Sequence, residues 1–183
     1  MAVFFTSDSH FYHANIIKYC DRPFSSVEEM NYKLIENWNK VVNPGDVVYH
    51  LGDFGFAEPA ALRRIRDQLN GNIIMVLGNH DKNLKQIDNA FHSMHNGILE
   101  VTFKVEDEKI PFVLCHYAMR VWNKSHYGAI HLYGHSHGTL SEDANSLSCD
   151  VGVDCWDYTP VSMDQILTKM YKKKFVPVDH HGR

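Results

Sequence analysis

The side chains able to do chemistry sit where apolar runs stop. Asp8-Ser9-His10 follows Val3-Phe4-Phe5, Gly52-Asp53 follows Val47-Val48-Tyr49, and Gly78-Asn79-His80-Asp81 follows Ile73 to Leu77. His116 comes after Phe112-Val113-Leu114, and Gly134-His135-Ser136-His137 after Ile130 to Tyr133. Asp8 and His10 are two residues apart, as are His135 and His137, so on an extended strand end each pair points the same way. A carboxylate with imidazoles suits manganese, iron, zinc or a similar first-row ion better than calcium. The candidate ligands are Asp8, His10, Asp53, Asn79, His116, His135 and His137. That set exceeds the needs of one ion and suits two, with Asp53 as the natural bridge, offering one oxygen to each. Two divalent ions would outweigh the charges of Asp8 and Asp53 and attract an anion. Paired ions clamp the attacking and leaving oxygens of a phosphoryl displacement and lower the pKa of bound water. The chemistry suggested is hydrolysis of a phosphate ester.

Positioning these residues requires strands ending at a common edge. Val3 to Ser7 reads as a buried strand. Ser26-x-x-Glu29 is a capping box, followed at helical spacing by Met30, Leu34, Trp38 and Val41 and stopped at Asn43-Pro44-Gly45. Asp46 to Leu51 is a second strand. Pro59 suits the first turn of a helix carrying Leu62, Ile65 and Leu69, which Asn70-Gly71-Asn72 ends before a third strand, Ile73 to Leu77. Strand, helix, strand, helix, strand predicts parallel βαβ units with a site at the carboxyl ends. Beyond, Gly97 to Val105 and Ile110 to Leu114 read as a hairpin about Glu106-Asp107-Glu108-Lys109. Ala129 to Tyr133 and Leu147 to Val153 add short strands, Val161 to Tyr171 a helix, and Asp179 to Arg183 a frayed end.

With 183 residues and no repeat or linker, the chain reads as one domain over 1–183. Apolar residues at 44% and charged at 22% fit a globular protein. No apolar run is long enough to span a bilayer, and no basic segment leads into an apolar one at the N-terminus, so a cytoplasmic location without membrane contact is expected. Cys20, Cys115, Cys149 and Cys155 form no C-x-x-C pair and are expected to be reduced. The net charge of −4 argues against binding long nucleic acid, where affinity rests on rows of Lys and Arg.

Asp8-x-His10, Gly52-Asp53, Gly78-Asn79-His80-Asp81, His116 and Gly134-His135-x-His137 resemble, in order, the motifs of the calcineurin-like metallophosphoesterases. The stretch from Asp8 to Ile17 and His50-Leu51-Gly52-Asp53-Phe54 look like its small bacterial and phage members. The resemblance implies an α/β fold, a two-sheet β-sandwich flanked by helices in four αββα layers, with a dinuclear metal centre. It assigns Asp8, His10, Asp53 and His137 to one ion, and Asp53, Asn79, His116 and His135 to the other. Manganese is the first expectation, with iron, zinc or nickel as alternatives. It also implies that His80 contacts the phosphate and protonates the leaving oxygen, with Asp81 orienting or polarising it. Many members carry a second aspartate three residues after the first; here that position is Phe56.

His13 and His50 adjoin these motifs and could orient ligands; His92, His95, His180 and His181 read as surface residues. Arg120, Trp122 and Asn123, in the loop between His116 and His135, could hold substrate through a guanidinium and a stacking indole. A small diester or nucleotide-like phosphate is the expected substrate, bound in an open, shallow site. Gly134-His135-Ser136-His137-Gly138 also fits a serine-hydrolase elbow, with Asp150 and His180 following, but residues 139–146 lack the helix such an elbow needs. Asp53-Phe54-Gly55 spells a kinase motif without its companions. A non-catalytic, protein-binding scaffold on the same fold is the alternative from another class. Such a scaffold would be expected to lose the acid histidine or several ligands, and this chain keeps all of them.

Overall fold

The structure, a computed structural model, describes residues 1–178. Asp179 to Arg183, including His180 and His181, lie outside the described residues. The alternating half of the sequence builds one sheet. Strands β1 (Val3–Thr6), β2 (Val47–His50), β3 (Asn72–Leu77) and β4 (Ser93–Asn96) run parallel in the order β4-β3-β2-β1. Strand β9 (Val161–Ser162) closes the far edge antiparallel to β1. Helices α1 (Ala14–Tyr19), α2 (Val27–Val41) and α3 (Pro59–Arg66) supply the crossovers. The second sheet, β5-β6-β7-β8, comprises β5 (Ile98–Val105), β6 (Glu108–Cys115), β7 (Ile130–Tyr133) and β8 (Ser148–Asp150). Its β5–β6 pair is the antiparallel hairpin expected from the sequence, and β7 and β8 add in parallel. Helix α4 (Met163–Tyr171) follows β9.

Strand alternation sorts the core into two clusters. Phe4, Val48, Ile73 and Met75 face α2 and α3 through Met30, Leu34, Trp38, Leu62 and Ile65. Phe5, Tyr49 and Val76 face the other way, onto Phe112, Leu114, Ile130 and Leu132 of the second sheet, and α4 adds Ile166, Leu167 and Met170. Two sheets packed face to face and flanked by helices are therefore what the chain builds.

Some elements differ from the sequence reading. Ser26 does cap α2 by accepting from the Glu29 amide, but the Glu29 carboxylate accepts from Ser25, one residue earlier than a capping box requires. The segment read as helix from Val161 begins as strand, because Val161 and Ser162 pair with Phe5 and Phe4; Ser162 then caps α4 with Gln165 in a reciprocal box. Helix α1 and strand β4 are too short to show a period. Among the described residues all four cysteines are free, and no helix is long and apolar enough to cross a membrane.

Candidate metal centre

Strands β1, β2 and β3 run parallel and end at the same edge of the sheet, so the turns after them meet. The Asp8 amide donates to the Gly52 carbonyl and the His10 amide to the Asp53 carbonyl, lacing the first turn to the second. Five of the seven candidate ligands, Asp8, His10, Asp53, His135 and His137, hold a positive φ between 48° and 67°. Such conformations cost non-glycine residues about 1–3 kcal/mol each and persist only where the surroundings enforce them. The glycines beside them are there for closeness: a Cβ on Gly78 would overlap Asp53 Oδ1, and one on Gly134 would overlap Ser7 Oγ and Asp8 Oδ2.

All seven predicted ligands come together. Asp8, His10 and His137 form one group of donor atoms, and Asp53, His116 and His135 a second, each within 4.8 Å. His10 Nε2 lies 3.9 Å from Asp8 Oδ1 and 3.7 Å from Asp53 Oδ2, and His137 Nε2 lies 3.9 Å from Asp8 Oδ1. His116 Nε2 is 3.5 Å from Asp53 Oδ2 and 3.0 Å from Asn79 Oδ1. Asp53 thus turns the same oxygen, Oδ2, to both groups, whereas one oxygen for each was expected. Its Oδ1 is occupied by the His80 amide at 3.0 Å.

These side chains fit a metal. Asp8 Oδ1 and His10 Nε2 are buried with no hydrogen-bond partner, a costly state that a cation between them would relieve. On several ligands the other atom is already spoken for. Asp8 Oδ2 accepts from the His135 amide at 2.8 Å, His116 Nδ1 donates to the Leu51 carbonyl at 2.8 Å, and His10 Nδ1 meets His13 Nδ1 at 3.3 Å. Such outer contacts fix the tautomer and aim the free nitrogen inward. Electrostatics agree. Burial lifts the pKa of Asp8 to about 7 and pushes that of His10 down to about 2. Burial would raise Asp53 as well, but the hydrogen bond and charge of His116 outweigh it and hold Asp53 at about 2. Burial opposes a proton on His116, yet Asp53 and Asp8 raise its pKa, so a proton there takes the place a cation would.

The calcineurin-like phosphoesterase superfamily domain model matches residues 1–155. The chain belongs to that superfamily. An uncharacterised protein of Methanocaldococcus jannaschii is 37% identical over 181 residues, covering 95% of this chain and 94% of that one. A protein of unknown function from Aquifex aeolicus has a similar structure, with a TM-score of 0.68 at 23% identity, over 91% of this chain and 98% of that one. A structure described as a novel archaeal phosphodiesterase aligns with a TM-score of 0.50 at 20% identity, over 83% and 82% of the two chains; both structural likenesses speak to the fold.

In this calcineurin-like phosphoesterase, other residues are placed differently from the sequence reading. Among the described residues Asp81 makes no hydrogen bond to the His80 ring. Its carboxylate accepts from the amides of Asp53 and Gly78, both at 2.8 Å, and of Phe54 at 2.9 Å, so it staples the second turn to the third. Trp122 donates its indole N–H to the Ala129 carbonyl at 2.9 Å and packs on His131, on the outer face of the second sheet. Asn123 binds Glu100 on β5 at 2.8 Å, and Arg120 lines a cavity with Tyr133 and Leu147. All three are thus engaged away from the ligand cluster, and the residue of this loop that reaches it is Tyr117. Its hydroxyl donates to Asn79 Oδ1 at 3.2 Å, and its ring stands 4.8 Å from that of His135. His50 is buried, bonded to Ser9 Oγ at 2.9 Å, and burial lowers its pKa to about 3.

Sequence reasoning also passed over Arg22 and Asp154. The buried Arg22 guanidinium donates to the carbonyls of Asp8 at 2.8 Å and Ser9 at 3.1 Å, and grips both oxygens of Asp154 at 2.8 Å. Asp154 Oδ2 in turn meets His137 Nδ1 at 2.7 Å. Burial would raise the Asp154 pKa, but His137 and Arg22 hold it below the usual range. An arginine 132 residues from its partner has no local signature in sequence.

Proposed function

We propose that the protein is a metal-dependent phosphoester hydrolase with a dinuclear centre, a phosphodiesterase or nucleotide-type phosphohydrolase of small substrates, with manganese as the first candidate metal. The observation that carries this reading is Asp53 Oδ2, set between two groups of inward-facing donors and beside the orphaned Asp8 Oδ1 and His10 Nε2. One ion would be held by Asp8, His10, Asp53 and His137, the other by Asp53, Asn79, His116 and His135. Bound there, paired ions neutralise phosphate charge and supply an activated water. His80 stands at the rim with its side chain 42% exposed and Nε2 3.9 Å from Asp53 Oδ2. Its backbone amide is pinned to Asp53, so the ring is held close to the residues that would hold the ions, where it would give a proton to the leaving oxygen. Phe56, Tyr117 and His135 leave the mouth open, which suits a diester with two substituents.

Turnover of bis-nitrophenyl phosphate by manganese-loaded protein tests the reading, with faster hydrolysis of this diester than of nitrophenyl phosphate expected. Protein that holds its metals but turns over neither ester would instead be the non-catalytic scaffold.

A further inference from the structure

The departing half of the substrate must lie on the side of the acid, and the structure has a cleft there. It is lined by Phe56, Glu58, Asn79, His80, Lys82 and Asn83 among others. Resting on the function proposed above, we infer that this cleft is the leaving-group subsite and that it takes an uncharged alcohol carrying a planar ring, a nucleoside or an aryl alcohol.

Phe56 is the platform. Its ring is stacked on His13 at 4.4 Å and 20°, and tilted against His80 at 4.6 Å and 50°. His13 thereby covers one side, while the residue as a whole remains 42% exposed, unusual for phenylalanine in a chain that buries Phe5, Phe11, Phe54 and Phe112. A fixed, half-exposed ring beside the proton donor is the arrangement that stacks a base or an aryl group without choosing its sequence or substituents. The floor is rigid, because Asn83 Nδ2 donates to the Ala57 carbonyl at 3.1 Å and the His80 amide is tied to Asp53. Charge selects the class of leaving group. Glu58 and Lys82 cancel, so apart from the proton that His80 gives up to the leaving oxygen the cleft holds no surplus cation to retain a departing phosphate. A neutral alcohol suits it, and the leaving phosphate of a nucleotide anhydride does not.

Calorimetric titration of manganese-loaded protein with adenosine 5′-monophosphate, phenyl phosphate and ribose 5-phosphate separates ring from phosphate binding. The two ring-bearing compounds should bind on the order of tenfold more tightly than ribose 5-phosphate. Phe56→Ala should erase that margin while leaving manganese content and ribose 5-phosphate affinity as they were, and Phe56→Trp should keep it. A margin for phenyl phosphate alone would assign the cleft to aryl alcohols; one for adenosine monophosphate alone, to nucleosides. Equal affinities in the wild type, or a margin surviving Phe56→Ala, would overturn the subsite, and faster hydrolysis of adenosine diphosphate than of a nucleoside diester would overturn the neutral leaving group. Turnover of bis-nitrophenyl phosphate by the same sample reports separately on the underlying function. Turnover without ring preference removes only the subsite, whereas absence of both turnover and ribose 5-phosphate binding removes the hydrolase reading with it.

Discussion

His80 and Asp154 show how differently two residues can serve one centre. His80 is anchored by its backbone amide to Asp53, and among the described residues its side chain makes no hydrogen bond, so His80→Ala should leave the ligands in place. General acid catalysis is worth about 10²–10⁴-fold in rate. A loss of that size on an alkyl or nucleoside ester is expected with metal content unchanged, shrinking for nitrophenolate, which leaves without protonation. Rate loss that tracks metal loss, measured on the same samples, would remove the acid role. Asp154 meets the cluster at the Nδ1 side of His137. It fixes the tautomer of His137 and neutralises Arg22. Removal of such an orienting carboxylate commonly weakens metal binding about 10–100-fold. Asp154→Asn should therefore lower manganese affinity at the Asp8, His10 and His137 group and leave the second group near its wild-type affinity, measurable as a two-step titration in place of one. Equal weakening of both would contradict the one-sided role.

The elements deliver the ligands by ending together, and Asp46 sets where they begin. At the start of β2 its carboxylate accepts from the amide of Ala2 at 2.7 Å and that of Asn43 at 2.9 Å, tying β1 and the end of α2 to one point. These backbone hydrogen bonds lower its pKa below the ordinary carboxylate value. A carboxylate depressed in the folded state stabilises above its unfolded pKa, near 3.9, and that contribution disappears as pH falls through the lower folded value. Asp46→Asn should lower the melting temperature at neutral pH and flatten its fall below about pH 4, measured by thermal scans across pH. An acid limb as steep as in the wild type would show that Asp46 does not carry it. Gly78 is a comparable constraint at the end of β3. Gly78→Ala would push a methyl group into Asp53 Oδ1, and loss of metal from both groups is the expected result.

For the molecule as a whole, the metals should hold the fold together as well as do chemistry. The centre joins turns from both sheets, and its unpartnered buried atoms are a cost the metal-free protein bears alone. A ligand at a hundredfold excess over its dissociation constant stabilises by about 2.7 kcal/mol, which in a chain of this size is roughly 5–10 °C in melting temperature. Chelation should produce a drop of at least that order, and metal analysis after manganese loading should approach two equivalents per chain. Full activity at one equivalent would end the dinuclear reading. Asp53→Ala should weaken both sites and Asp8→Ala mainly one.

What the sequence determined by itself was the inventory and the direction of the chain. Continuous apolar runs placed β1, β2 and β3, helical spacing placed α2 and α3, and β-rich segments about a charged turn placed the β5–β6 hairpin; the abrupt ends of apolar runs marked Asp8, His10, Asp53, Asn79, His116, His135 and His137, because strands buried on both faces read as continuous apolar segments. It could not determine which atoms face which. Asp81 looks like a partner for its neighbour His80, but three backbone amides converge on its carboxylate only once the turns after β2 and β3 have docked. Trp122 looks like a stacking platform, but only the tertiary structure shows its indole packed on His131 and bonded to Ala129, and shows Tyr117 of the same loop at the ligand cluster. Arg22 and Asp154 carry no motif, since their pairing spans the whole chain and exists only after β1, α1 and the segment beyond β8 have met. Local pattern fixes what local backbone geometry requires; the aim of a buried polar side chain is decided by long-range contacts competing for the same hydrogen-bonding atoms.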